Sequence, residues 1–243
     1  VNTPSDTYQL TELFFTDKDH GFIGGTKNGK QVLLKTVNNG DLWTEVTPDT
    51  TTSNPIISVS FIDSLNGYAT DGNNLYKTLN GGTGWSSKIF PSSYIIKDMS
   101  FINMGLGYFC GSSSSETKIL LMKTYDGGQT LWNQYSFSDS SSSLNSFEKI
   151  DMVDWKTGFT SLRNTNKLYY TTDGLYTYKT IVVPQIQTIL DFDFTSINTG
   201  HVLSTMGELF ATVDGGQNWT LEYSTGWNFY GGGVLFNSFA FSS

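Results

Sequence analysis

Apolar residues along this chain fall in short runs that alternate with polar ones and never settle into a helical rhythm. Around Val59, Met99, Ile150 and Phe192 the hydrophobic side chains take every second position, ending at Phe61, Phe101, Met152 and Phe194. A period of two is that of a strand with one buried face. Each run stops at a turn rich in Asp, Asn, Ser and Gly, and a new apolar run begins. The pattern predicts many short strands and an all-β fold. No apolar run is long enough to span a bilayer, so no transmembrane segment is expected.

The turns repeat. Lys77 to Trp85 reads KTLNGGTGW, and related segments are KTVNNGDLW from Lys35, KTYDGGQTLW from Lys123, YTTDGLYTY from Tyr170 and ATVDGGQNW from Ala211. Their central residues, Asn38, Asn80, Asp126, Asp173 and Asp214, recur every 41 to 47 residues. A second motif precedes each copy: FTDKDHGF from Phe15, FIDSLNGY from Phe61, FINMGLGY from Phe101, MVDWKTGF from Met152 and FTSINTGH from Phe194. Two motifs recurring in one order define a structural repeat. Each unit reads as four short strands, the size of a propeller blade. The expected fold is a single-domain β-propeller of four-stranded antiparallel blades. Its units are 10–50, 56–91, 95–138, 147–184 and 188–225. An extra first strand in 234–243 leaves five or six blades open. The N-terminal Thr7 to Leu10 is expected as an outer strand of the last blade.

The turn has a physical logic. An Asp or Asn carbonyl oxygen caps backbone N–H groups ahead of it, and the glycines after it accept positive φ. The aromatic residue closing the motif (Trp43, Trp85, Trp132, Tyr178 or Trp219) packs back over the turn. These acidic residues are therefore expected to clamp turns and not to catalyse. The units resemble Asp-box (BNR-type) repeats, and the KTxDGGxxW form is similar to the photosystem II stability and assembly factor family of propellers. The resemblance covers residues 10 to 241. It implies a propeller, and the function is open because sialidases, sortilin-type receptors and glucanases share the Asp-box. Asn39 departs from the pattern, as do Leu175 and Tyr178, which predict a looser fourth turn.

The resemblance to sialidases implies three substrate-binding arginines, and this chain has one, Arg163. Lysine does not replace a bidentate guanidinium, so a sialidase is disfavoured. Another glycosidase would need a pair of carboxylates. Such groups lie on the polar face of the first strands: Asp98, Asp151, Asp191 and Asp193, with Glu12 and a lone opposing cation, Lys149. If first strands line a channel, these groups either join blades by hydrogen bonds, or hold a cation or polar ligand, or supply a catalytic pair. His20 and His201 flank equivalent glycines and read as structural, and the single Cys110 reads as a buried strand residue. Asp17-Lys18-Asp19 is too sparse for a calcium loop.

Two serine-rich segments, Gly111 to Lys118 and Ser138 to Ser146, are expected as surface loops. Trp227, Phe229 and Tyr230 sit in a glycine-rich stretch outside the repeat, where they either cover the end of the ring or bind a partner.

With 14 basic against 22 acidic residues the net charge is −8, and nucleic acid is not an expected partner. The chain opens on Val1 and is expected to be a processed form; its abundant Ser, Thr, Asn and Gly suggest a bacterial extracellular, cell-surface or periplasmic protein. No cofactor or metal is expected. The leading reading is a non-catalytic binding or assembly scaffold for another protein. A carbohydrate-binding propeller is the alternative, and a glycoside hydrolase using channel carboxylates the second.

Overall fold

A computed structural model describes residues 6–113, 119–137 and 146–224. These residues form twenty strands in five four-stranded antiparallel sheets, each a simple meander. The first sheet holds β1 (Tyr8–Phe15), β2 (Gly21–Lys27), β3 (Lys30–Thr36) and β4 (Thr44–Glu45). The second holds β5 (Ser58–Phe61), β6 (Gly67–Thr70), β7 (Asn74–Thr78) and β8 (Ser86–Ile89). The third holds β9 (Tyr94–Phe101), β10 (Gly107–Ser113), β11 (Ile119–Thr124) and β12 (Trp132–Phe137). The fourth holds β13 (Phe147–Met152), β14 (Gly158–Leu162), β15 (Lys167–Thr171) and β16 (Lys179–Val182). The fifth holds β17 (Ile189–Phe194), β18 (Gly200–Ser204), β19 (Glu208–Thr212) and β20 (Thr220–Ser224). The described residues divide into two compact units, one through Pro91 with the first two sheets and one from Ser92 with the other three.

Each sequence repeat maps onto one sheet, as the all-β, four-stranded reading expects. One detail differs. Tyr8 to Leu10 does not belong to the last sheet: it begins β1, with Tyr8 opposite Lys27. A bulge between Leu10 and Glu12 absorbs the change of register and lets the strand run on. The expected extra strand in 234–243 lies outside the described residues.

The glycine of the second motif has a steric cause. It opens the second strand, directly across from the last residue of the first: Gly67 faces Phe61, Gly107 faces Phe101 and Gly200 faces Phe194. In each pair the phenyl ring lies flat over the glycine, so a Cβ there would collide with ring carbons. The aromatic residue after the glycine then serves the next sheet. Phe22 stacks on Phe61 at 3.6 Å between ring centroids, and Phe159 stacks on Phe194 at 3.7 Å. Phe22, Phe61, Val59 and Tyr76 anchor the core of the first unit. In the second unit one cluster gathers Tyr108, Ile150 and Met152, and another gathers Phe159, Phe192 and Phe194.

Candidate functional site

The first strand of every sheet pairs on one side only, which leaves a row of backbone N–H and C=O groups on its outer edge. In the second unit side chains of the preceding sheet cover that edge. Ile150 N–H donates to Asp98 Oδ2 at 2.8 Å, and Met152 N–H donates to Ser100 Oγ at 3.1 Å. Phe194 N–H donates to Asp151 Oδ2 at 3.1 Å. In the first unit Thr11 Oγ1 donates to Ile56 O and to Gly24 O. The alternating polar face read from the sequence is thus real, and among its carboxylates Asp98 and Asp151 spend an oxygen on the backbone of the following sheet.

The acidic residues gather. Asp98 and Asp191 are buried, and Asp151, Asp193 and Lys149 are partly so. Lys149 Nζ lies 3.7 Å from Asp191 Oδ1, which also accepts the N–H of Phe192 at 3.0 Å. Burial, and then the negative charge of Asp193, push Asp151 up to about 7, against the opposing pull of the Phe194 N–H. Among the described residues no group of three or more His, Cys, Asp or Glu is placed to hold a metal ion. Asp17, considered for calcium, is occupied: it accepts the N–H groups of Asp19 and His20 and meets the His20 ring at 2.9 Å, contacts that hold it down at about 2. His201 lies 3.3 Å from Glu222 in its own sheet, and Cys110 is buried, with its thiol pushed well up by that burial.

At one end of each sheet the turn joining strands three and four lies against the turn joining strands one and two. Gly81 N–H donates to Leu65 O, Gly127 to Gly105 O, Gly174 to Lys156 O and Gly215 to Asn198 O. The expected Asn and Asp clamps are in place: Asn38 Oδ1 accepts Leu42 N–H, Asn80 Oδ1 accepts Gly84 N–H and Asp126 Oδ1 accepts Thr130 N–H. Asp173 and Asp214 do the same for Thr177 and Asn218.

The partner that the sequence reading missed is the threonine two residues earlier. Thr78 Oγ1 donates to Asn80 Oδ1 at 2.9 Å and accepts Gly82 N–H at 2.9 Å. Thr36, Thr124, Thr171 and Thr212 repeat both bonds. Its presence in all five copies was the available signal. The fourth turn is not looser, because Leu175 takes a φ of 75° and its N–H still reaches Thr171.

The lysine preceding that threonine was also missed. Lys35 Nζ reaches out of its own sheet to Ser64 O at 3.0 Å and Gly81 O at 3.2 Å in the next. Lys123 Nζ sits 4.9 Å from the Tyr108 ring centre, close to Gly174 in the following sheet, and Tyr108 donates its hydroxyl to Trp155 O at 2.6 Å. The motif tryptophans differ in their bonding. Trp85 Nε1 donates to Val46 O at 2.8 Å, whereas Trp219 Nε1 is buried with no acceptor among the described residues. Trp132 is exposed.

The same turns carry exposed apolar residues. Val37, Leu79, Tyr125 and Val213 follow the threonine in four of the five motifs, and all stand well out into solvent. Leu65 and Trp155 add to them from the neighbouring turns. The segment with Trp227, Phe229 and Tyr230 lies outside the described residues, as do 114–118 and 138–145 of the two serine-rich segments.

Comparison with solved structures decides the architecture. The chain is similar to YCF48 bound to D1 peptide, with 16% identity and a TM-score of 0.54 over 90% of this chain and 83% of that one. The fold is a β-propeller. YCF48 from Cyanidioschyzon merolae is also similar, with 16% identity and a TM-score of 0.58 over 90% of this chain and 86% of that one. A GH74 xyloglucanase from Xanthomonas campestris matches at 12% identity and a TM-score of 0.63 over 88% of this chain and 39% of that one. No protein-family model matches the chain, and no curated protein does. The sheets are therefore blades, and the turns just described lie at one end of each.

Proposed function

We propose that this chain is an exported Asp-box propeller, from the envelope or surface of a bacterium, that binds another protein. The observation that carries this reading is the exposed apolar residue at an equivalent turn position in four blades, Val37, Leu79, Tyr125 and Val213. A large exposed apolar side chain, repeated at one turn position within each unit, is what the apolar surface of a partner can pack on. Two facts support it: Asp98 and Asp151 each give an oxygen to an adjoining blade, and YCF48, a similar fold, has been solved with a peptide bound. The test is capture: the whole chain, cross-linked in an envelope fraction of its source cells, is expected to retain a saturable partner. No saturable partner, together with binding on a glycan array, would replace this reading with a carbohydrate-binding one.

A glycoside hydrolase is the second reading, favoured by the raised Asp151 carboxyl, which is suited to donating a proton near neutral pH. Hydrolysis of a β-glucan panel, lost in Asp151→Asn, would establish it. No hydrolysis by the wild type would dismiss it.

A further inference from the structure

In the second unit the turn end of the blades combines two properties. Its exposed large side chains are Tyr125, Trp155, Tyr176, Ile197 and Val213. Interleaved with them are four carboxylates, Asp126, Asp154, Asp173 and Asp214, while the only cation within these turns is Lys156. Lys156 is itself drawn over the Trp155 ring, 4.4 Å from its centre. Lys123, at the edge of the patch, is buried between Tyr108 and Tyr125, and Lys179 opens the adjoining strand β16.

The carboxylates are held ionised. The Thr130 N–H holds Asp126 at about 2, and the Asn218 N–H and side-chain amide lower Asp214. The opposite end of these blades is different. Its described hairpin turns, 163–166 and 205–207, hold Arg163 and no carboxylate, and the exposed large apolar side chains there are Met206 with Ile95 and Val182 at the strand ends. Apolar exposure and fixed negative charge thus coincide at one end.

We infer that the turn end of the second unit is a docking surface for a basic, amphipathic protein segment, in which Lys or Arg alternates with large apolar residues. The inference rests on the protein-binding reading and narrows its partner. The apolar side chains of such a segment pack on Trp155, Tyr125 and Val213. Its cations meet the fixed carboxylates between them, a complementarity that steers encounter and rejects acidic partners. An apolar partner without charge would leave the carboxylates facing uncharged surface, and an acidic one would be repelled.

The experiment uses the full chain and three synthetic peptides: one of Leu, Trp and Lys, its Glu-for-Lys counterpart, and its Ser-for-Leu/Trp counterpart. Calorimetric titration is expected to show saturable binding of the first alone, weakening as salt screens the charges. The double substitution Trp155→Ser with Val213→Ser is expected to weaken binding by about tenfold or more, as loss of an aromatic anchor does. Met206→Ser, at the opposite end, is expected to change nothing. Tyr176→Ser supplies an independent variant at an exposed position should the double variant fail to fold.

Equal binding of the Glu peptide overturns the inference. So does equal weakening by Met206→Ser, or unchanged binding in folded turn-end variants. If the chain ignores the Lys peptide yet still captures a partner from the envelope fraction, the surface assignment falls and the protein-binding reading stands. If peptide binding maps to the turns while no natural partner is captured, the protein-binding reading falls and the surface chemistry stands.

Discussion

Asp151 offers a test of how the blades are joined. Its carboxyl accepts the Phe194 N–H of the next blade while lying among Asp193, Asp98 and Asp191, with Lys149 as the nearby cation. Burial and Asp193 raise it from 3.8 to about 7, so the folded chain holds this proton more tightly than the unfolded chain. The sign follows from linkage. Ionisation costs the native state nothing below the unfolded value; the cost grows as pH rises and is complete above the folded value. At about 1.4 kcal/mol per unit, the full cost is at most ~4 kcal/mol, of which ~3 kcal/mol accrues between about pH 5 and pH 8. Asp151→Asn keeps an oxygen for the Phe194 N–H and removes the charge. Urea denaturation of both proteins, followed by circular dichroism at several pH values, reads this contribution together with the relief of Asp193, Asp98 and Asp191, because titrations elsewhere cancel in the difference. The variant is expected to gain on the wild type as pH rises, by up to ~3 kcal/mol between about pH 5 and pH 8. A difference that stays flat with pH would refute the reasoning. It would mean that the anion is as well solvated in the fold as in water.

Other consequences concern the repeat. Thr78→Val removes a buried hydroxyl that bonds Asn80 and Gly82 N–H, and is expected to cost about 1–3 kcal/mol in chemical denaturation. Trp85→Phe is expected to cost about 1–2 kcal/mol more than Trp219→Phe, because only Trp85 loses a hydrogen bond; equal costs would contradict the assignment. Gly107→Ala places a methyl group against the Phe101 ring and is expected to lower stability by about 1–3 kcal/mol, read as a fall in the thermal midpoint.

Much of the fold was written in short-range signals. An Asp or Asn before glycine fixes a turn within its own few residues, and a strand's alternation announces which side is polar, so the repeat and its strands were legible. What the polar side does was not. That Asp98 bonds the N–H of Ile150 depends on a blade 52 residues further on, a relation that no local pattern encodes. Lys35 is similar: beside a threonine it reads as an ordinary strand residue, and only the packed blade shows its ammonium between two carbonyls of a neighbour. Thr36 and its equivalents were visible in all five copies. A β-branched residue closing a strand has an ordinary explanation, however, and that one masked its hydroxyl's role. Tyr8 to Leu10 was misplaced because a bulge lets one strand continue where strict alternation would have ended it. The exposed residues after the threonine were likewise in plain view, but exposure is a property of the folded turn and not of the residue.

Within each unit most of the joints described run in one direction. A blade offers acceptors from its first strand and a lysine or aromatic ring from its second and third, and the blade that follows supplies the N–H groups, the carbonyls and the facing phenyl ring. The fourth blade, β13 to β16, therefore carries both halves of a joint, N–H groups for the third blade at one side and a carboxylate and ring for the fifth at the other. A second copy of that stretch in the gene would bring a matching face for each of its neighbours. Tyr170 stands where three other copies have lysine, and the joint between the fourth and fifth blades is still made by Asp151 and the Phe159 ring.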